Sequence, residues 1–143
     1  MAPAPRRGAL VLDLYTAGNL AVAKLDRELR ALDLPLAYLG VLTEIRLSEP
    51  ITPTALAART GFPLTTLTDY LQQLIERGEV SREPNPADRR SHLLSVTAAG
   101  RERLVASSQA VARVVQAMTP GLDRPLWEYE DIVAELRAAL TDA

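Results

Sequence analysis

The stretch from Thr52 to Gly78, TPTALAARTGFPLTTLTDYLQQLIERG, constrains the chain more than any other. Thr52 stands where a hydroxyl can accept from the free N–H groups of a first helical turn. Pro53, with its fixed φ and no N–H, suits the first helical position. The helix that starts there runs to Arg59 or Thr60. Gly61 ends it, because glycine enters the left-handed region without a Cβ penalty. Pro63 opens a second helix that runs to about Arg77 and stops at Gly78. Two short helices joined by a tight, glycine-containing turn form the helix-turn-helix pattern.

The apolar period changes after Gly78. Val80 and Arg82 alternate with polar neighbours, and Leu94 and Val96 do so within SHLLSV. Between them lies PNPADRR, so the segment predicts a two-stranded hairpin with a long tip. Upstream, Leu10, Leu14, Ala17, Ala21, Leu25, Leu29 and Leu32 recur at steps of three or four, which predicts a helix from about Ala9 to Leu32. Pro35 ends that helix by disfavouring helical backbone at Leu34. A second helix, Leu36 to about Leu47, is apolar on more than one face and is expected at the centre of the core. Downstream, Thr97 caps a helix through about Met118, Thr119-Pro120-Gly121 breaks it, and a last helix spans about Pro125 to Leu140. The fold class is mainly α with a small β-hairpin wing.

Residues 36–97 can bury their own core. The long flanking segments, 8–34 and 98–141, carry apolar stripes that need a partner. A second copy in a two-fold dimer is the simplest supplier of that surface.

Composition excludes several classes of function. The chain has 143 residues, the size of one domain, and a formal net charge of −2, so any anion-binding surface must be local. It has no cysteine, which excludes disulfides, thiol sensing and cysteine-based metal sites. It lacks a glycine-rich phosphate loop, a histidine pair and any metal-ligand spacing, so neither enzyme activity nor a metal or cofactor is expected. Asp13 interrupts the N-terminal apolar run too early for a signal-peptide core, and the run is too short to span a bilayer. A cytoplasmic location and no membrane partner are expected. Glu128, Glu130 and Asp131 read as a solvated face, Trp127 and Tyr129 as packing residues, and His92 as an exposed residue of the second strand.

The helix 63–77 has two faces. Leu67, Tyr70, Leu71 and Leu74 fall at inward spacing, and Thr65, Thr68, Asp69, Gln72 and Gln73 lie opposite. Threonine and glutamine can hydrogen-bond base edges in a major groove, and threonine methyls can touch thymine methyls. With Leu64 and Thr66 of the first turn, these residues form the candidate recognition surface. Arg89 and Arg90 sit at the hairpin tip, where a guanidinium can reach a narrow, electronegative minor groove. Pro84 and Pro86 restrict the tip, and Asp88 is expected to pair with a nearby arginine and orient it. Arginines and acids cancel between Glu76 and His92, so positive potential must come from placement. That predicts a salt dependence shallower than a basic binder's.

The sequence resembles the MarR family of bacterial transcription regulators from about residue 8 to 141. The most specific part is LIERGEVSREPNPADRRSHLLSVTAAGRERL, residues 74–104. It is similar to the family's E-R-G turn, wing strand, D-R-R tip, second strand and T-x-x-G helix start. The resemblance implies a winged helix-turn-helix on a six-helix homodimer built from the terminal helices. Such a dimer would bind a palindromic operator in double-stranded DNA, usually as a repressor. The family's minor-groove arginine matches Arg90, with Arg89 adjacent, and its wing aspartate, which forms a salt bridge to an arginine, matches Asp88. Family members often release DNA when a small, frequently aromatic anion binds between the dimerisation helices and the DNA-binding lobe, so an aromatic or anionic effector is implied, with no pocket residue assigned. Two positions depart from the pattern: Asp69, where a basic residue is frequent, and Glu79, where an apolar residue is common. Asp69 and the cancelled wing charge motivate the alternative, a winged-helix protein–protein interaction module with little specific DNA binding.

Overall fold

The computed structural model describes residues 3–143. Helix α1 spans Leu10–Leu29 and passes into a 3-10 turn, Arg30–Leu32. Then follow α2 (Leu36–Ser48), α3 (Pro53–Thr60), α4 (Leu64–Glu76), β1 (Val80–Pro84), β2 (His92–Val96), α5 (Ala98–Met118), a second 3-10 turn (Thr119–Gly121) and α6 (Leu126–Asp142). The order is the one read from the sequence. The first helix tightens to 3-10 geometry over its last three residues, before Asp33 turns the chain in the left-handed region at φ 48°.

The punctuating residues act as their chemistry dictates. Thr52 Oγ1 accepts from the Ala55 N–H at 3.2 Å, and Pro53 occupies the first helical position of α3. Gly61, at φ 77°, donates its N–H to Ala57 O at 2.9 Å and closes that helix. Gly78 adopts φ 72° after α4.

The main core gathers Val41, Leu42 and Ile45 of α2 with Leu56 of α3, Leu67, Leu71 and Leu74 of α4, and Val80, Leu94 and Val96 of the hairpin. Helix α2 is therefore central, as its many-sided apolar pattern requires. A smaller cluster joins Leu29, Leu34, Leu39 and Ala110. Helix α1 buries only Leu29, and α6 buries no residue.

The strands pair antiparallel from Val80↔Val96 to Pro84↔His92. The chain just before α3 adds a third short member. Ile51 N donates to Leu94 O at 3.2 Å, and Leu94 N donates to Ile51 O at 2.8 Å. Glu49 Oε2 accepts the neighbouring Val96 N–H at 2.8 Å, so this sheet edge is covered. A single isolated residue carries no alternating pattern, which is why periodicity did not show this pairing.

The E-R-G turn and the T-x-x-G start are two halves of one latch. Thr97 Oγ1 donates to Gly78 O at 2.6 Å, and Thr97 N donates to Glu79 O at 3.1 Å. Thr97 Oγ1 also accepts the Gly100 N–H at 3.1 Å, capping α5. A Cβ at Gly100 would lie 2.6 Å from Val96 Cγ1 and closer still to the Glu79 carbonyl oxygen. Glu79 itself is buried at 4% exposure. Arg103 of α5 binds its carboxylate at 3.2 Å and donates a further hydrogen bond to Leu32 O at 3.0 Å. A charged residue is tolerated at this usually apolar position because α5 supplies its counter-charge, although Glu79 Oε2 is left without a partner.

Gly100→Ala separates two opposed effects. Helix propensity alone would favour alanine by about 0.5–1 kcal/mol. Overpacking against backbone costs about 1–3 kcal/mol. A net loss in urea unfolding is expected, and a gain would contradict the close approach. Arg103→Ala, which strands a buried carboxylate, should cost roughly 3 kcal/mol, with most of it recovered on adding Glu79→Leu. A loss no larger than that of a surface substitution would show that the pair does not matter.

Candidate nucleic-acid interface

Burial of one face of α4 determines what the other face shows. Leu67, Leu71 and Leu74 point into the core. Tyr70, half-buried, stands edge-on to Phe62 at 5.4 Å and to Tyr38 at 5.5 Å, and the Arg77 guanidinium lies over Tyr38 at 5.2 Å. Thr65, Thr68, Asp69, Gln72 and Gln73 are exposed together on the opposite side. Leu64 is 46% exposed at the start of the helix, whereas Thr66 is half-buried on its flank. Thr68 Oγ1 donates to Leu64 O at 2.8 Å, which directs its donor inward and leaves its methyl and remaining lone pair outside. Gln72 Nε2 donates to Glu76 Oε1 at 3.3 Å, along the helix surface.

The wing tip is held by its own backbone. Asp88 N donates to Asn85 O, Ser91 N to Asp88 O, and Asn85 N to Ser91 O, all at 3.1–3.2 Å. The Asn85 side chain accepts from Ala87 N at 3.0 Å, and Asp88 Oδ1 accepts from Arg90 N at 3.0 Å. The expected ion pair of Asp88 with an arginine is not formed; its carboxylate instead bonds the backbone two residues on. A short carboxylate reaches that N–H with little entropy loss, whereas an exposed arginine pair must order a long side chain. The tip owes its shape to Asn85 and Asp88 as well as to Pro84 and Pro86. Asn85 escaped the sequence reading, although Asn and Asp before such N–H groups are a turn signal. Arg89 and Arg90 are exposed, and among the described residues neither guanidinium has an ion-pair partner.

A groove of about 450 Å³ runs between the wing and the two helices. Thr54, Leu64 and Thr68 line one side, and Asn85, Arg90 and His92 the other. A second groove of about 390 Å³ lies between Thr68, Gln72 and Glu76 of α4 and Arg82 and His92 of the strands. Arg90 therefore shares a groove with Thr68, while Arg89 lines neither. Thr54, Arg82 and His92 join the candidate surface only through folding. His92 is exposed on β2 as expected, opposite Pro84 in the register, and it lines both grooves together with residues of α4. Among the described residues, no group of three or more His, Asp or Glu side chains is placed to hold a metal ion. Nor, among the described residues, is any helix long and apolar enough to cross a membrane.

A hairpin beside two helices joined by a glycine turn, with the second helix's polar face outward, defines a winged helix-turn-helix protein. The comparisons with known proteins place it further. A family model described as "MarR family" matches residues 32–91. An uncharacterized HTH-type transcriptional regulator of Mycobacterium bovis is 31% identical over 128 residues, which cover 87% of this chain and 90% of the relative. The structure of wild-type MarR (apo form) from E. coli superposes with a TM-score of 0.75 at 28% identity, covering 97% of this chain and 99% of that one. Mutant MarR from E. coli complexed with operator DNA gives a TM-score of 0.70 at 28% identity, covering 95% and 99%. The chain belongs to the MarR family of transcription regulators, a family of regulators and not of enzymes.

The wing-tip geometry makes a local prediction. Asp88→Asn retains an acceptor for the Arg90 N–H, so amide-exchange protection at Arg90 and Ser91 should persist. Asp88→Ala should abolish it. Equal loss in both variants would point to a role for the charge instead.

Proposed function

We propose that this regulator is a homodimer that binds a palindromic operator in double-stranded DNA, acts as a repressor, and is released by a small aromatic or anionic effector. The observation that carries the reading is the shared groove: the polar face of α4 and the unpaired guanidinium of Arg90 open onto the same side. Leu64, Thr65, Thr66, Thr68, Asp69, Gln72 and Gln73 would enter the major groove. Arg90, with Arg89 beside it, would reach the flanking minor groove, where a free guanidinium meets concentrated negative potential. Asp88 shapes that tip. The operator-bound structure of the E. coli relative supports the DNA partner.

The dimer is supported by what the single chain leaves uncovered. Leu10, Val11, Leu12 and Tyr15 of α1, Met118 of α5, and Trp127, Ile132, Val133 and Leu140 of α6 are all more than 40% exposed. Trp127, expected to pack, is 60% exposed within its own chain. A surface of this kind on flanking helices marks an interaction site. We assign residues 8–34 and 98–141 to dimerisation and residues 36–97 to DNA binding, in the cytoplasm. Two-fold symmetry then sets the recognition helices about 34 Å apart, one turn of the duplex. An effector would act by preferring a dimer geometry with a different separation, which requires differential affinity for the two states.

The test starts with a duplex selected by the protein from a random library. Arg90→Ala should weaken binding to it about tenfold or more, near 1.4 kcal/mol per tenfold. The salt slope should fall by about one for each phosphate that the guanidinium no longer neutralises. Failure to select any duplex, or equal weak binding to all, would overturn the reading and favour the interaction module.

A further inference from the structure

Glu44 lies on α2 at 7% exposure, too buried to carry a charge without partners. Two guanidiniums reach it from different helices. Arg59, in the last turn of α3, places Nε 3.2 Å from Oε2, and Arg137, in the second half of α6, places Nη2 2.5 Å from Oε1. The same Arg137 nitrogen donates to Arg59 O at 2.9 Å. That carbonyl belongs to the last turn of α3, where backbone acceptors lack intrahelical donors and the helix dipole favours a cation. Arg137 thus caps the first helix of the helix-turn-helix from outside it.

Within its own chain, helix α6 has few other ways to hold this position. It buries no residue. Among the described residues, all of its hydrogen bonds and ion pairs to other elements come from Arg137. The side chain is 48% exposed, and both contacts run through Nη2, whose two N–H groups are fixed in the guanidinium plane, so one nitrogen satisfies an acid on α2 and a carbonyl on α3 in a single geometry. Lysine's ammonium can donate to both acceptors, but on a flexible, freely rotating stem it does not fix the angle between them.

We propose that Arg137 is a positioning residue: by joining Glu44 and the Arg59 carbonyl it fixes the helix-turn-helix against α6, and so sets where the recognition helix stands relative to the terminal helices. The consequence for recognition rests on the dimeric DNA-binding reading, because a subunit pair transmits this angle into the separation of two recognition helices. The orientation itself is a property of one chain and can be measured without DNA.

The chain has no cysteine, so two introduced ones become unique label sites. Exposed Glu76 at the end of α4 and exposed Glu130 on α6 suit nitroxide labels as Glu76→Cys and Glu130→Cys. Doubly labelled chain is diluted into excess unlabelled chain, and the interspin distance is read by pulsed dipolar spectroscopy. The unaltered background should give one narrow distribution. Arg137→Ala should at least double its width or shift its mean, while the thermal midpoint of the core changes little. Arg137→Lys should fall between the two, and it serves as the reading variant if the alanine form does not fold. Distributions unchanged in Arg137→Ala, or a lysine variant identical to the parent, would overturn the proposal. Failure of the unaltered protein to select a duplex would refute the regulator reading alone, since the distance measurement does not depend on it.

Discussion

The outward face of α4 depends on its inward one. Leu67, Leu71 and Leu74 enter a core already occupied by Val41, Leu42 and Ile45 of α2 and by Leu94 and Val96 of the hairpin. Each fully buried leucine contributes about 1.5–3 kcal/mol from apolar area alone, so three fix the helix's rotation far more firmly than any polar contact on its surface. With the rotation fixed, Thr65, Thr68, Asp69, Gln72 and Gln73 have no choice of direction. The same hairpin residues that complete the core carry the wing, so the tip's position relative to α4 follows from the same packing.

Around that core, polar groups register one element against the next. Thr97 and Gly100 seat α5 on the Gly78–Glu79 turn, Arg103 answers the buried Glu79 from α5, and Arg59 and Arg137 answer the buried Glu44 from α3 and α6. Both buried carboxylates meet arginine, the cation whose rigid fork can satisfy an acid and a carbonyl together. Hydrophobic burial is non-directional; these charge-assisted contacts specify angle and register. Of the acids around the wing only Glu79 is turned inside; Asp69, Glu76, Glu83 and Asp88 remain exposed beside the outward arginines.

Much of this was legible in the sequence because its punctuation is chemical. Thr52, Pro53, Gly61, Gly78 and Thr97 each admit few backbone environments, and all five occupy the ones expected. The helical stripes and the two-residue alternation at Val80 and Leu94 gave type and face. What periodicity did not show depends on distant partners. The Ile51–Leu94 bridge, Arg103 on Glu79 and Arg137 on Glu44 each join residues far apart along the chain, and no local pattern encodes them. Asp88 departs from its expected arginine pair for a different reason: the choice between a guanidinium and a backbone N–H is settled by the turn's geometry, which places the N–H of Arg90 at 3.0 Å.

In the proposed mode of binding, two polar α4 faces meet successive major grooves while each wing reaches a flanking minor groove. Hydroxyl-radical footprinting of the protein on its selected duplex reads that geometry directly. Two protected patches related by a two-fold axis about one helical turn apart are expected. Each should be bordered by a minor-groove protection that disappears with Arg90→Ala. A single patch, or border protection that survives the substitution, would contradict it.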